Sequence, residues 1–252
     1  MEFYEIKHQL NYYECDPAGH PTLSTLINLA VLAAEADNQV NGVGLATVNQ
    51  FGGGWVIINY AGNLSVHTAH KEEELRIGTR VESYNKFFII RDFYVKGPDD
   101  QIYAEFKGTF VFMDLVKRKI MTIPQAVIDL FDMDPVRRLP RLPQPGDFER
   151  SPEWNQQTYR VRYFDIDMNG HVNNAHYFDW MLDPLGGEFL SHHHLVAMRI
   201  TFAKEVRMDE IITSSVSIPT PLEDGRLMTQ HLIEVDGEIS AKGENYWIPL
   251  EK

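Results

Sequence analysis

Apolar and polar residues alternate most regularly over residues 101–114. Ile102, Ala104, Phe106, Phe110 and Phe112 take one side, and Tyr103, Glu105, Lys107 and Thr109 take the other. A repeat of two is what a strand with one buried face produces. Strands are likewise predicted at 2–13, 55–66, 79–95 and, briefly, 119–123. Gly97-Pro98-Asp99-Asp100 supplies one turn and residues 116–119 another. Ahead of the second strand, residues 22–41 predict a helix begun by Thr22 or Ser24 and stopped before Gly42 and Gly44. Leu23, Leu26, Ile27, Leu29 and the run Ala30-Val31-Leu32-Ala33-Ala34 leave it almost no polar face, which predicts a helix enclosed by protein.

From 124 to about 156 the texture changes. Pro135, Pro140, Pro143, Pro145 and Pro152 interrupt any regular element, so a linker is predicted, with a short helix at 125–131. The order then restarts with a strand at 158–164, a helix at 173–189 and strands at 195–206, 211–218, 227–235 and 239–248. Glu223-Asp224-Gly225 and Asp236-Gly237 mark turns. Each half therefore reads strand, long helix, then about four strands, an α+β layout of a helix against a curled antiparallel sheet. Consecutive strands with tight turns exclude a βαβ winding. The expected division is 1–130, a linker at 131–156, and 157–252.

The halves also share a motif. Asp16-Pro17-Ala18-Gly19-His20 repeats the frame of Asp167-Met168-Asn169-Gly170-His171 at an offset of 151. Asp167, Asn169 and His171 put an acid, an amide and an imidazole at alternate positions where a strand hands over to a helix. The first copy has Ala18 in place of the amide, so one half is expected to do chemistry and the other to shape the site. Two readings of the residues stand side by side: a polar set converging on a bound group, or Asp167 capping a turn and Asn169 supplying a left-handed conformation.

Composition narrows the function class. At 252 residues and 44% hydrophobic, the chain can bury a sizeable core. A net charge of −13 argues against a nucleic-acid binder, which needs a basic face. One cysteine, Cys15, makes no internal disulfide, the first residues lack a basic-then-apolar export pattern, and no apolar run reaches 18 residues. A cytoplasmic protein with no stable membrane association is expected. Gly52-Gly53-Gly54 is no phosphate loop, because a strand follows and no Lys-Ser/Thr pair ends it. Three adjacent histidines, 192–194, offer no defined tetrahedral metal set.

The stretch Asp165-Ile166-Asp167-Met168-Asn169-Gly170-His171-Val172-Asn173-Asn174, followed by Tyr177 and Trp180, resembles the acyl-acyl carrier protein thioesterases of plants and bacteria. So do Lys204-Glu205, Trp55-Val56-Ile57-Ile58, Arg91-Asp92-Phe93 and Ile123-Pro124. The resemblance implies two tandem hotdog domains, hydrolysis of a fatty acyl thioester on an acyl carrier protein, and no cofactor or metal. It puts functional weight on Asp167, Asn169, His171 and Glu205, with Val172, Asn173 and Asn174 at the helix start against the substrate. One reading of the family requires a cysteine directly after the glutamate; Val206 stands there. Water activated by Glu205 is therefore the expected route, with His171 moving protons or ordering water.

The first half is expected to shape the acyl tunnel, through its apolar helix and Phe87-Phe88-Ile89-Ile90. An acidic carrier requires a local basic patch, and Lys117-Arg118-Lys119 or Arg137, Arg138 and Arg141 are the candidates. A monomer or a homodimer fits a tandem chain. The alternatives are an acyl-CoA thioesterase, a hydratase of similar fold, and a non-catalytic acyl-thioester binder.

Overall fold

The computed structural model describes residues 2–114, 116–129 and 133–250. Eleven strands form one sheet in which every pairing is antiparallel. They are β1 Tyr4–Gln9, β2 Gly53–Leu64, β3 Glu74–Tyr84, β4 Phe88–Lys96, β5 Ile102–Asp114, β6 Asn155–Arg160, β7 His193–Phe202, β8 Ile211–Val216, β9 Thr220–Pro221, β10 Leu227–Val235 and β11 Glu238–Pro249. The order is β1-β3-β4-β5-β2-β7-β11-β10-β8-β6, with β9 beside β10. Read outward from the β2–β7 seam, the second half repeats the first. The seam runs from Asn59 opposite Thr201 to Asn63 opposite Ala197.

The helices are α1 Leu23–Val40, α2 Leu45–Asn49, α3 Gln125–Ile128, α4 Asn174–Leu182 and α5 Gly187–His192. Thr22 caps α1 by accepting from Thr25 N, and Asn173 caps α4 by accepting from Ala175 N. The two caps occupy equivalent places after the two copies of the motif. α1 and α4 touch where Ser24 Oγ donates to Ala175 O at 3.1 Å and to the Asp179 carboxylate. One core runs through both halves, joining Ile27 and Ala30 of α1, Tyr60 and Ile200 of the seam strands, and Phe178 and Met181 of α4.

Several expected elements change. Residues 79–95 are not one strand: Asn85 Oδ1 accepts from Phe87 N and Phe88 N, and that turn separates β3 from β4. Residues 119–123 form an isolated bridge between Met113 and Ile120 rather than a strand. The opening strand stops at Gln9, and Tyr12–Glu14 form a 3-10 turn. β6 begins at Asn155, inside the expected linker, and Tyr163–Asp165 form a second 3-10 turn. The helix expected at 173–189 ends at Leu182, because Pro184 and Gly186, at φ +81°, break it before α5. α1 is not enclosed all round, since Val31 and Leu32 are exposed. The expected boundary between 130 and 131, and the end of the helix expected at 125–131, lie outside the described residues.

Residues 133–154 carry no strand or helix and strap the sheet's outer face. Leu142 packs on Ala61 and Ile90, and Gly146 N donates to Glu244 at 3.1 Å. Among the described residues no helix is long and apolar enough to cross a membrane.

His231 on β10 fixes α4 to the sheet. It is fully buried, with Nδ1 2.8 Å from Met181 O and Nε2 2.8 Å from Thr229 Oγ1. Burial pushes its pKa down to about 4 from an ordinary 6.5, against the opposing pull of the Met181 carbonyl. The unfolded chain therefore takes up this proton first as pH falls. Stability from this group is complete above pH 6.5 and declines by about 3 kcal/mol on the way to pH 4. Denaturant titrations at several pH values should show a steeper loss in that window for the wild type than for His231→Gln; equal slopes would refute the assignment.

Candidate active site

The duplicated motif folds into the same turn twice. In the second copy Asp167 N donates to His171 O at 2.8 Å and Gly170 N to Asp167 O at 3.0 Å. Asp167 Oδ1 accepts from Asn169 N at 2.8 Å and His171 N at 3.4 Å. In the first copy Asp16 makes the corresponding bonds to Ala18 N and His20 N, both at 2.9 Å, and to His20 O and Gly19 N. Gly19 and Gly170 sit at φ +88° and +75°, a region open to glycine. The acid and the glycine of the frame thus build the turn, and the histidine is what the turn presents.

His171 is met by Glu205. Its Nε2 lies 3.5 Å from Glu205 Oε1, too long for a full hydrogen bond and close enough for one water to touch both. Glu205 lies past the end of β7, not within a strand as the sequence predicts. Ala203 N and Lys204 N donate to Ser240 O of β11 at 2.8 and 3.1 Å, which pins the chain just before it. Val206, fully buried, donates its N–H to the Tyr177 hydroxyl at 3.3 Å and pins the chain just after it. Burial pushes the Tyr177 hydroxyl pKa up, so it stays protonated beside the carboxylate. The second oxygen of Glu205 is paired with Arg118, which comes from the first half. Nothing local marks Arg118 as a partner of a residue 87 positions away, and the sequence placed it only in a surface patch.

The other expected residues are distributed around this pair. Asn169 is exposed, and its side-chain nitrogen is 3.5 Å from Asp167 Oδ2; no hydrogen bond joins it to His171 or Glu205. Asp167 reaches His171 through the backbone N–H, not the imidazole. Val172 is core. Asn173 caps α4 and donates from Nδ2 to Asn28 Oδ1 of α1 at 3.1 Å. Asn174 opens α4 beside the buried Tyr60 hydroxyl, and its own Oδ1 is buried without a hydrogen bond.

A cavity of about 800 Å3 opens around the incomplete copy of the motif, walled by His20, Thr22, Leu26, Tyr103, Trp180 and His194. It contains neither His171 nor Glu205. This cavity is a poorer guide to chemistry than the meeting of a carboxylate and an imidazole, because this end has Ala18 where the other has an amide. Among the described residues no cluster of three or more His, Cys, Asp or Glu is placed to hold a metal ion.

Family models match both halves in order: the acyl-ACP thioesterase N-terminal domain over residues 1–131 and the C-terminal domain over 148–249. The chain belongs to the acyl-ACP thioesterase family. A solved structure from Lactobacillus plantarum, provisionally named an oleoyl thioesterase, is 36% identical, with a TM-score of 0.95 over 100% of this chain and 98% of that one. The 12:0-ACP thioesterase of Umbellularia californica shares the fold at 17% identity, with a TM-score of 0.85 over 98% of this chain and 94% of that one. A chloroplastic acyl-[acyl-carrier-protein] hydrolase of Cuphea viscosissima is 26% identical over 70% of this chain. The chain spans less than half the length of that curated relative, 45%. Family membership fits the large antiparallel sheet with few helices, and the hotdog character that this layout suggests.

Proposed function

We propose that this acyl-ACP thioesterase family member hydrolyses fatty acyl thioesters carried on acyl carrier protein, with water activated by Glu205. The observation that carries the reading is the approach of Glu205 to His171 at the start of α4. Two tandem hotdog units, the second beginning with β6 at Asn155 rather than at 157, account for the mirrored strand order and for the doubled turn.

Glu205 takes a proton from a water that touches both it and His171, and the oxygen attacks the carbonyl carbon. The negative charge passes to the carbonyl oxygen, which the positive end of α4 stabilises. The C–S bond then breaks, and the thiolate recovers the proton by way of His171. Asp167 keeps the turn that presents the imidazole, and Asn169 orients water or substrate from the rim. A cysteine route is unsupported, since Val206 holds that place and Cys15 lies in the other half with burial raising its thiol pKa. The exposed Leu32 lies one turn along α1 from Asn28, which bonds Asn173, and so offers an apolar flank beside the α4 start.

Of the two basic clusters, the one in the linker is better suited to an acidic carrier. Arg118 is engaged by Glu205 and Lys117 lies 3.8 Å from Asp114, whereas Arg137, Arg138 and Arg141 have no ion pair among the described residues.

The test is to supply acyl-carrier thioesters of graded length beside matched acyl-CoA thioesters and to measure free thiol and free acid. Release of both, with the higher kcat/KM for the carrier, is expected, and Arg137→Glu with Arg138→Glu should raise KM for the carrier alone. Binding without thiol release would leave a non-catalytic acyl binder; a preference for CoA would make it an acyl-CoA thioesterase.

A further inference from the structure

The turn after β5 is held by the side chain and backbone of Asp114. Asp114 Oδ1 accepts from Val116 N at 2.9 Å and Lys117 N at 2.7 Å. Arg118 N donates to Asp114 O, and Asp114 N to Lys119 O, both at 2.9 Å. These bonds hold Arg118 at φ +51°, a left-handed conformation that long side chains avoid. From there its guanidinium crosses to the second half and pairs with Glu205 Oε2, leaving Oε1 for His171.

That ion pair is not what the fold needs. Arg118 is 44% exposed and Glu205 25%, and ion pairs so open to water contribute little to stability. Among the described residues no other lysine or arginine side chain pairs with Glu205: Lys204 goes to Glu238, and Lys117 to Asp114.

We propose that Arg118 is a positioning residue for the hydrolysis: it holds the Glu205 carboxylate with one oxygen turned to His171. The inference rests on the reading of Glu205 as the base. At rest the guanidinium is balanced by the carboxylate. Once the water proton has moved to Glu205 and the new C–O bond has formed, the carboxyl is neutral and the negative charge is on the substrate oxygen. The guanidinium loses its charged partner in that step, so its contribution is to fix the direction of the carboxylate before the proton moves. No reactant beyond water and the thioester is required.

The experiment compares wild type, Arg118→Gly and Arg118→Lys on one acyl-carrier thioester, recording kcat, KM and Tm, and adds methylguanidinium to the glycine variant. Glycine accepts the left-handed backbone without strain. Arg118→Gly should therefore lower kcat roughly 10- to 100-fold with KM changed less than about threefold, while Tm stays level or rises by about 2 °C. Lysine should fall between the two, and methylguanidinium should restore part of kcat to Arg118→Gly but none to Glu205→Gln. An unchanged kcat, or kcat and Tm falling together without rescue, would overturn the role of Arg118 alone. A wild type that releases no thiol would overturn the Glu205 reading and this one with it.

Discussion

Glu205→Gln is expected to lower kcat on acyl-carrier thioesters by roughly 100- to 10,000-fold with KM nearly unchanged. The amide keeps the shape of the side chain and its place between Ser240 and Tyr177, so the loop has no reason to move. It cannot take a proton from water at neutral pH, and it brings no charge to Arg118. Stopped assays of free thiol under saturating substrate would read the loss directly. Near-normal turnover would transfer the base to His171, because both oxygens of Asp167 face groups of their own turn: Oδ1 holds the Asn169 and His171 N–H groups, and the Asn169 amide lies by Oδ2. A large loss in kcat matched by an equal fall in KM would mean instead that ground-state binding had changed.

Asp37→Ala should cost about 3–5 kcal/mol of folding stability, more than most single substitutions. Arg91 of β4 is 3% exposed, and Asp37 Oδ2 of α1 lies 2.8 Å from its Nη2. Asn38 Oδ1 accepts from the same nitrogen at 2.8 Å, and Thr79 Oγ1 from Nη1 at 3.0 Å. Removing the carboxylate leaves a guanidinium in the interior with only neutral hydrogen-bond partners, and Glu35 acting on it without a contact. Burial already draws the Arg91 pKa down against the attraction of Asp37. Urea midpoints for Asp37→Ala, and for the double variant Asp37→Leu with Arg91→Met, would measure the effect. The double variant should recover much of the loss, since it removes the unpaired charge as well as the pair. A single variant that costs under about 1 kcal/mol would show that water reaches the guanidinium.

Local chemistry decided which features the sequence could disclose. α1 was legible because Thr22 caps it and Gly42 ends it, and β10 because turns bound Leu227–Val235 on both sides. The β3–β4 turn was hidden because Phe87 continues the apolar run through Asn85-Lys86, although the Asn85 side chain is what makes the turn. Missing that strand break while reading 119–123 as a strand left the strand count nearly right for compensating reasons. The break after α4 was masked in the same way: Leu182, Leu185 and Phe189 keep a helical spacing across Pro184 and Gly186. At the site, the Asp-x-x-Gly-His frame and Glu205 were readable from the resemblance, and the structure brings His171 and Glu205 together. Arg118 was not readable, because an exposed arginine between two lysines carries no sign of a partner that only the seam between the halves brings near.

The seam itself has a consequence for how such a chain can change over time. When two identical subunits pair, every substitution appears on both sides of the axis, so a cavity cannot be enlarged at one end without altering the other. Here β2 and β7 belong to one polypeptide, and each copy of the turn is inherited separately. One copy can carry Ala18 where the other carries Asn169, and an arginine of one copy can serve a carboxylate of the other. Covalent linkage thereby releases the two halves from enforced symmetry, and a division of labour between them is accessible by single substitutions.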